Sequence, residues 1–229
     1  MNIKSKLVPF STAAVLTIAL AGNCFAGTTP FRDLSSVNAK EKIIALQEKG
    51  YVNGVADGLF APNGHVTAAE GIQFIVNALN LNLDLVRFIK EPKATNYFPH
   101  SNNNAWYSNT LIIAAVNGLE LPTDLDPSEE WTREEFTYRL IHTMELKGNL
   151  PMIKLNPVEI TDHDQIKVDY EGAIQRGLVY HVIKLDGSGN FNPKDKLTRG
   201  DAAEQIYHAL EYLKAHPAPV IESEGSVTD

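Results

Sequence analysis

One short pattern occurs three times and constrains this chain more than any other feature. It reads Thr67-Ala68-Ala69-Glu70, then Thr132-Arg133-Glu134-Glu135, then Thr198-Arg199-Gly200-Asp201. The three threonines are 65 and 66 residues apart. Each stands before an apolar pattern of helical period, with an acid three residues on. That spacing predicts a capping box: the Thr hydroxyl accepts from the third helical amide and the acid reaches back to the Thr amide. Three helix starts at a regular interval imply three repeats of one unit.

Capping accounts for the threonines and the acids but not for Arg133 and Arg199. Both fall at the first helical position, where a cation meets the positive end of the helix dipole, at a cost of roughly 0.3–1 kcal/mol. Finding it twice suggests a use other than helix stability. An arginine beside free helix amides suits a carboxylate or phosphate. The bland alternative is a surface arginine paired with a nearby acid.

Each capped helix is preceded by another. Ser35 or Ser36 is placed to cap a first helix reaching Lys49, with Ala39, Ile43 and Leu46 on one face and Gly50 as its stop. Ile112, Ala115, Val116 and Leu119 mark the corresponding helix of the second unit, near Gly118. Tyr170, Ala173, Ile174 and Leu178 mark it in the third, with Gly177 matching the earlier glycines. The second helices carry Ile72, Ile75, Val76 and Leu79, then Phe136, Leu140, Ile141 and Met144, then Ala202, Ile206, Ala209, Leu210 and Leu213 inward. Segment 80–96 is too apolar for an open linker and predicts a short helix or a packed strap. One helix–loop–helix unit cannot bury both faces alone, so the three are expected to form one all-α domain.

The ends of the chain read differently. Lys4 and Lys6, an apolar run and Cys24-Phe25-Ala26 have the form of a secretory signal cleaved after Ala26. Residues 215–229 are acidic and poor in large apolar side chains, which predicts a disordered tail. The only cysteine lies in the signal, so the exported chain would rely on an ordinary core without disulfides. The net charge is −8, near −10 without Lys4 and Lys6. That argues against a nucleic-acid partner and leaves any anion to local arginines.

The order of motifs is similar to the S-layer homology (SLH) repeat of bacterial surface proteins. Phe31-Arg32-Asp33, the loop from Gly54 to Pro62, and Thr67 to Glu70 carry the likeness in the first unit. Phe98, Trp106, Gly118 and Thr132 to Glu135 carry it in the second. Asp162, Gly177, Asp186-Gly187, Phe191-Asn192-Pro193 and Thr198 to Asp201 carry it in the third. The repeats run over about 31–80, 97–147 and 160–214. The resemblance implies a pseudo-threefold helical bundle that binds anionic, often pyruvylated, secondary cell-wall polysaccharide in grooves between repeats. It implies that Arg133 and Arg199 hold the carboxylate. On this reading Asp33 and Asp162 bond sugar hydroxyls or orient an arginine, and Thr132 and Thr198 keep the helix starts rigid. Trp106 either stacks on a sugar or fills the core. Replacing both arginines by alanine is then expected to abolish wall binding while helical content survives.

The departures from the pattern limit this. Ala68 replaces the arginine in the first unit, and Asn38 and Gln165 stand where Trp106 would be. At most two grooves are expected to work. A degenerate fold acting as an adaptor for another envelope protein is the rival reading. Asp186-Gly187-Ser188-Gly189-Asn190 reads as a turn, since Leu197 stands where a calcium loop needs glutamate. No metal, cofactor or catalytic arrangement emerges, so an enzyme is not expected.

Overall fold

The computed structural model describes residues 29–151, 154 and 156–218, and the signal and most of the tail fall outside them. Six helices form: α1 Lys40–Glu48, α2 Ala68–Ala78, α3 Ser108–Val116, α4 Arg133–Gly148, α5 Val168–Val179 and α6 Arg199–Ala215. Among the described residues there is no sheet, so the chain is all-α, with two helices in each repeat. The second helix of each repeat packs on the first helix of the next: α2 on α3, α4 on α5, and α6 back on α1.

The three helix starts meet in a closed ring of backbone hydrogen bonds. The Val66 amide donates to the Leu197 carbonyl (2.9 Å), Leu197 to Trp131 (3.0 Å), and Trp131 to Val66 (3.0 Å). Each of these residues precedes a capping threonine. The ring binds segments over 60 residues apart, and buried Val66, Trp131 and Leu197 exclude water from it.

Thr67, Thr132 and Thr198 all have extended backbone and accept from the third helical amide. The full box closes at Thr67 and Thr132, where glutamate reaches back. It does not close at Thr198. Asp201 is one methylene shorter, and its carboxylate instead lies 3.8 Å from Arg133.

The helix starts are not free, contrary to expectation. Arg133 and Glu134 donate their amides to Asp195 and Pro193 of the third repeat's loop (2.9 and 3.1 Å), and Arg199 and Gly200 donate to Gly64 and Pro62 of the first (both 2.8 Å). Ala68 and Ala69 likewise reach Glu129 and Pro127. With the third amide held by threonine, the backbone at each start is spent within the fold.

Gly71 lets this ring be so tight. A Cβ there would stand 2.7 Å from the Trp131 ring, which is fully buried and has no room to retreat. Gly71→Ala is therefore expected to lower stability by about 1–3 kcal/mol despite alanine's better helix propensity. Urea unfolding checks this, and an unchanged midpoint would contradict it.

Three local expectations need correction. Neither Ser35 nor Ser36 caps α1. Successive turns from Leu34 to Val37 and Val37 to Lys40 lead the chain in, and Ala39 stands uncapped at the N-cap. Gly177 does not stop α5, which runs on to Val179. His181, at φ 57°, takes the left-handed position that Gly50 and Gly118 hold. The Val182 amide then closes on Gly177 as Tyr51 closes on Leu46. Gly177 is instead a packing glycine, with Ile183 3.2 Å from where a Cβ would be. Counting back from His181 puts Asp169, not Gln165, at the place of Trp106. At the end of α4, Asn149 at φ 44° supplies the left-handed turn after Gly148.

Segment 80–96 is a packed strap ending in a 3-10 turn at Ala94–Asn96. Leu81 is buried, and Leu83, Val86 and Phe88 are partly covered, while Leu85 and Ile89 are fully exposed.

Candidate ligand grooves

Arg199 is only 4% exposed. Its Nε donates to the Phe60 carbonyl (2.8 Å), one terminal nitrogen to Glu70 (2.9 Å), and the other to the Asn53 carbonyl (2.7 Å). The guanidinium also lies over the rings of Phe60 and Phe74, at 4.8 and 5.1 Å. Burial pulls its pKa down, and Glu70, then Asp33, push it back up. This arginine staples the third repeat to the first.

Arg133 occupies the matching place one repeat earlier, over Phe191 at 5.5 Å. Its surroundings differ. Its one acidic neighbour within reach is Asp201, at 3.8 Å, which is too long for a hydrogen bond. Its Nε is buried and has no partner among the described residues.

Asp33 and Asp162 hold the loops beneath these arginines. Asp33 accepts from the amides of Phe60 (3.0 Å) and Ala61 (2.7 Å), and Asp162 from Phe191 and Asn192 (both 2.8 Å). Ala61 and Asn192 sit at φ 57° and 56°, so each carboxylate fixes a left-handed corner. Burial raises the Asp33 pKa, but the amides of Phe60, Ala61 and Asp33 and the charge of Arg199 outweigh it and leave the carboxyl below its usual range. Both carboxylates thus bond loop backbone, with one amide on each oxygen. They orient the arginines indirectly, by fixing the phenylalanines the guanidiniums cover.

Two grooves open between repeats. The first, about 400 Å3, lies between α2 with the loop at 53–55 and the segment just before α3. Trp106, 58% exposed, forms one side, so it is not a core residue. Glu70, Gln73 and the edge of Arg199 form the other. Its one cation is matched by Glu70.

The second groove, about 360 Å3, lies between α6 and α1. Arg133, Lys42 and Lys184 supply three cations, and Asp201 and Glu204 two carboxylates. Lys42 bridges the interface, 2.5 Å from Glu204 and 3.0 Å from His208 Nε2. Burial, then Lys42, push the His208 pKa down, against the opposing pull of Glu204. Gln205 is 3% exposed, with its Oε1 accepting from Thr137 (2.9 Å) and its Nε2 without a partner among the described residues. Arg133 and Gln205, the residues that carry these two unpartnered buried donors, both line this groove. Lys42, His208 and Gln205 were not singled out in the sequence, because only the return of α6 onto α1 brings them to Arg133.

The third interface, between α4 and α5, is closed. Ala68 takes the arginine's place. Tyr138, three residues past Glu135, stacks on Tyr170 at 4.4 Å and bonds Glu120, with His142 3.4 Å from the same acid. Burial, then Glu120, pushes the Tyr138 phenol up to about 12. Gln73 and Glu204 hold the corresponding positions in the open grooves, three past Glu70 and Asp201.

Comparison with known proteins agrees with this architecture. The S-layer homology domain family model matches residues 30–70 and 163–203, in the first and third repeats. The surface-layer 125 kDa protein of Lysinibacillus sphaericus is 26% identical over 90% of this chain. The exoglucanase XynX of Acetivibrio thermocellus is 27% identical over 79%, and the amylopullulanase of Thermoanaerobacterium thermosulfurigenes 25% over 79%. The chain spans only 17%, 16% and 9% of these proteins' lengths. The two catalytic names therefore describe proteins of which this chain matches a small part.

Proposed function

We propose that this chain, which matches the S-layer homology domain family over residues 30–70 and 163–203, anchors at the cell surface by binding anionic cell-wall polysaccharide non-covalently between its repeats. The surface-layer relative supports attachment to the cell envelope in general. The observation that carries the finer reading is the pair of unpartnered buried donors, Arg133 Nε and Gln205 Nε2, on residues that line the groove between α6 and α1. A buried donor without an acceptor costs about 1–3 kcal/mol, which a ligand oxygen would recover. A carboxylate, such as that of a pyruvylated sugar, would supply the acceptor that these donors lack and meet the groove's one surplus positive charge.

The groove at Trp106 serves the same polymer differently. Arg199 has its donors committed to Phe60, Asn53 and Glu70, so it offers an anion little. The exposed indole offers a flat face for the C–H side of a sugar ring. The two grooves thus divide the work, with the acid in one and a neutral ring in the other. The closed α4–α5 interface takes no part. Thr132 and Thr198 hold the helix starts, and Asp33 and Asp162 hold the loops.

Sedimentation of the chain from residue 27 onward with cell walls tests this. Binding is expected to native walls and not to walls stripped of secondary polysaccharide, and Trp106→Ala is expected to weaken it about tenfold, since sugar–aromatic stacking contributes on the order of 1 kcal/mol. Equal binding to both walls would turn the reading toward an adaptor for another envelope protein.

A further inference from the structure

A further cavity lies apart from these grooves. It is a cleft of about 640 Å3 between the strap after α2 and the start of α3. We propose that this cleft is a separate binding site for neutral carbohydrate.

Its two sides have the chemistry a sugar presents. Val86 and Phe88 from the strap and Ile112 from α3 give it an apolar wall. Asn104 and Asn109 give it a polar one: both are solvent-exposed, and their side-chain amides have no protein hydrogen bond among the described residues. A free amide offers a donor and an acceptor together, as neighbouring sugar hydroxyls require. The apolar wall suits the C–H face of a pyranose ring.

The cleft is built rather than incidental. Asn103 is tied to Thr95 at both ends of its amide: Nδ2 donates to the Thr95 hydroxyl (3.0 Å) and Oδ1 accepts from the Thr95 amide (3.1 Å). Asn117 holds the strap's entry by donating to the Asn82 carbonyl at 2.9 Å. These bonds fix the strap relative to α3, so the two walls are placed before anything binds. The charges at the rim, Glu91 and Lys93, are one of each sign, unlike the surplus of cations at Arg133. That balance selects a neutral ligand. The volume falls in the range of ligand pockets and suits a short oligosaccharide better than a single ion.

The position adds to the argument. Asn104 and Ser108 line the cleft, and Trp106 between them lines the groove on α2. One turn of chain separates the two cavities, so a glycan stacked on Trp106 could continue over it. The cleft's own chemistry does not depend on the acid-binding groove, and the test keeps the two apart.

The test is an NMR titration of the chain from residue 27 onward, following asparagine side-chain amide, arginine Nε–H, aromatic and methyl signals. The probes are the methyl glycosides of glucose, galactose, mannose and N-acetylglucosamine. At least one is expected to shift both Asn104 and Asn109 saturably while leaving Arg133 Nε–H unmoved. Asn104→Ala with Asn109→Ala is expected to abolish saturable shifts at the remaining cleft signals, those of Phe88 and Ile112. Arg133→Gln is expected to leave the titration unchanged. No shift with any of the four glycosides would overturn the proposal. Saturable shifts of Phe88 and Ile112 that survive the double substitution would also overturn it, and would point to a generic apolar surface.

Discussion

Arg199→Ala is expected to cost about 3–5 kcal/mol of folding stability, the loss typical when one partner is removed from a buried, charge-assisted network. The substitution would leave the carbonyls of Phe60 and Asn53 and the Glu70 carboxylate without their donor, and would open a space beneath Phe60 and Phe74. Lysine would not rescue it, because one ammonium cannot reach three acceptors in the planar arrangement that the guanidinium spans. Urea unfolding followed by circular dichroism measures the effect. A loss below about 1 kcal/mol would show that the network contributes little beyond packing. The consequence for wall binding is that alanine at 133 and 199 together is a poor test of ligand contact. Lost binding in that double variant would follow from a loosened fold whether or not either arginine touches sugar. This departs from the expectation that helical content survives, which treated the two positions as alike.

Arg133→Gln is the cleaner experiment, and the largest functional effect is expected there. Glutamine keeps part of the stem over Phe191 and removes the charge and the buried Nε donor. Folding stability is expected to change by less than about 1 kcal/mol, since the only acidic neighbour, Asp201, is half exposed at 3.8 Å. Affinity for native walls is expected to fall at least tenfold, and more than a hundredfold if the arginine holds the carboxylate through two hydrogen bonds. A charge-assisted hydrogen bond contributes about 1.5–3 kcal/mol, and each 1.4 kcal/mol is a factor of ten. Sedimentation across a range of wall concentrations measures this. Unchanged binding with an unchanged fold would remove Arg133 from the ligand site.

The contrast between these two arginines shows how far the sequence could be read. Both stand directly after a capping threonine and before an acidic or small residue. Their difference comes from residues far along the chain. Arg199 meets Glu70, Asn53 and Phe60, which lie 129 to 146 residues away. Arg133 meets Phe191 and Asp201, and Asp201 is too short to reach back to Thr198 and too far to bond the guanidinium fully. A difference of one methylene between glutamate and aspartate at the third helical position thus separates a closed box from an acid left near the groove. That acid was visible in the sequence, but its direction was not.

The asparagines of the strap cleft and Lys42, Gln205 and His208 gave no signal, because none forms a spaced motif with the others. Trp106 was visible as the aromatic that carries the likeness in the second unit, and only its 58% exposure shows that it is not a core residue. His181 escaped because a left-handed helix stop is read by looking for glycine, and histidine at that position is held there by the closing bond from Val182.

The sequence by itself determined the helices, their three starts and the repeat count. Capping and apolar periodicity act between residues three or four apart, so they leave a mark in any short window. Tertiary structure alone decided which helix starts bind which loops, which arginine is spent and which keeps free donors, and which interfaces open. Those outcomes depend on contacts between residues far apart in the chain, many of them more than sixty positions, where the energy of a hydrogen bond depends on geometry that no local spacing records.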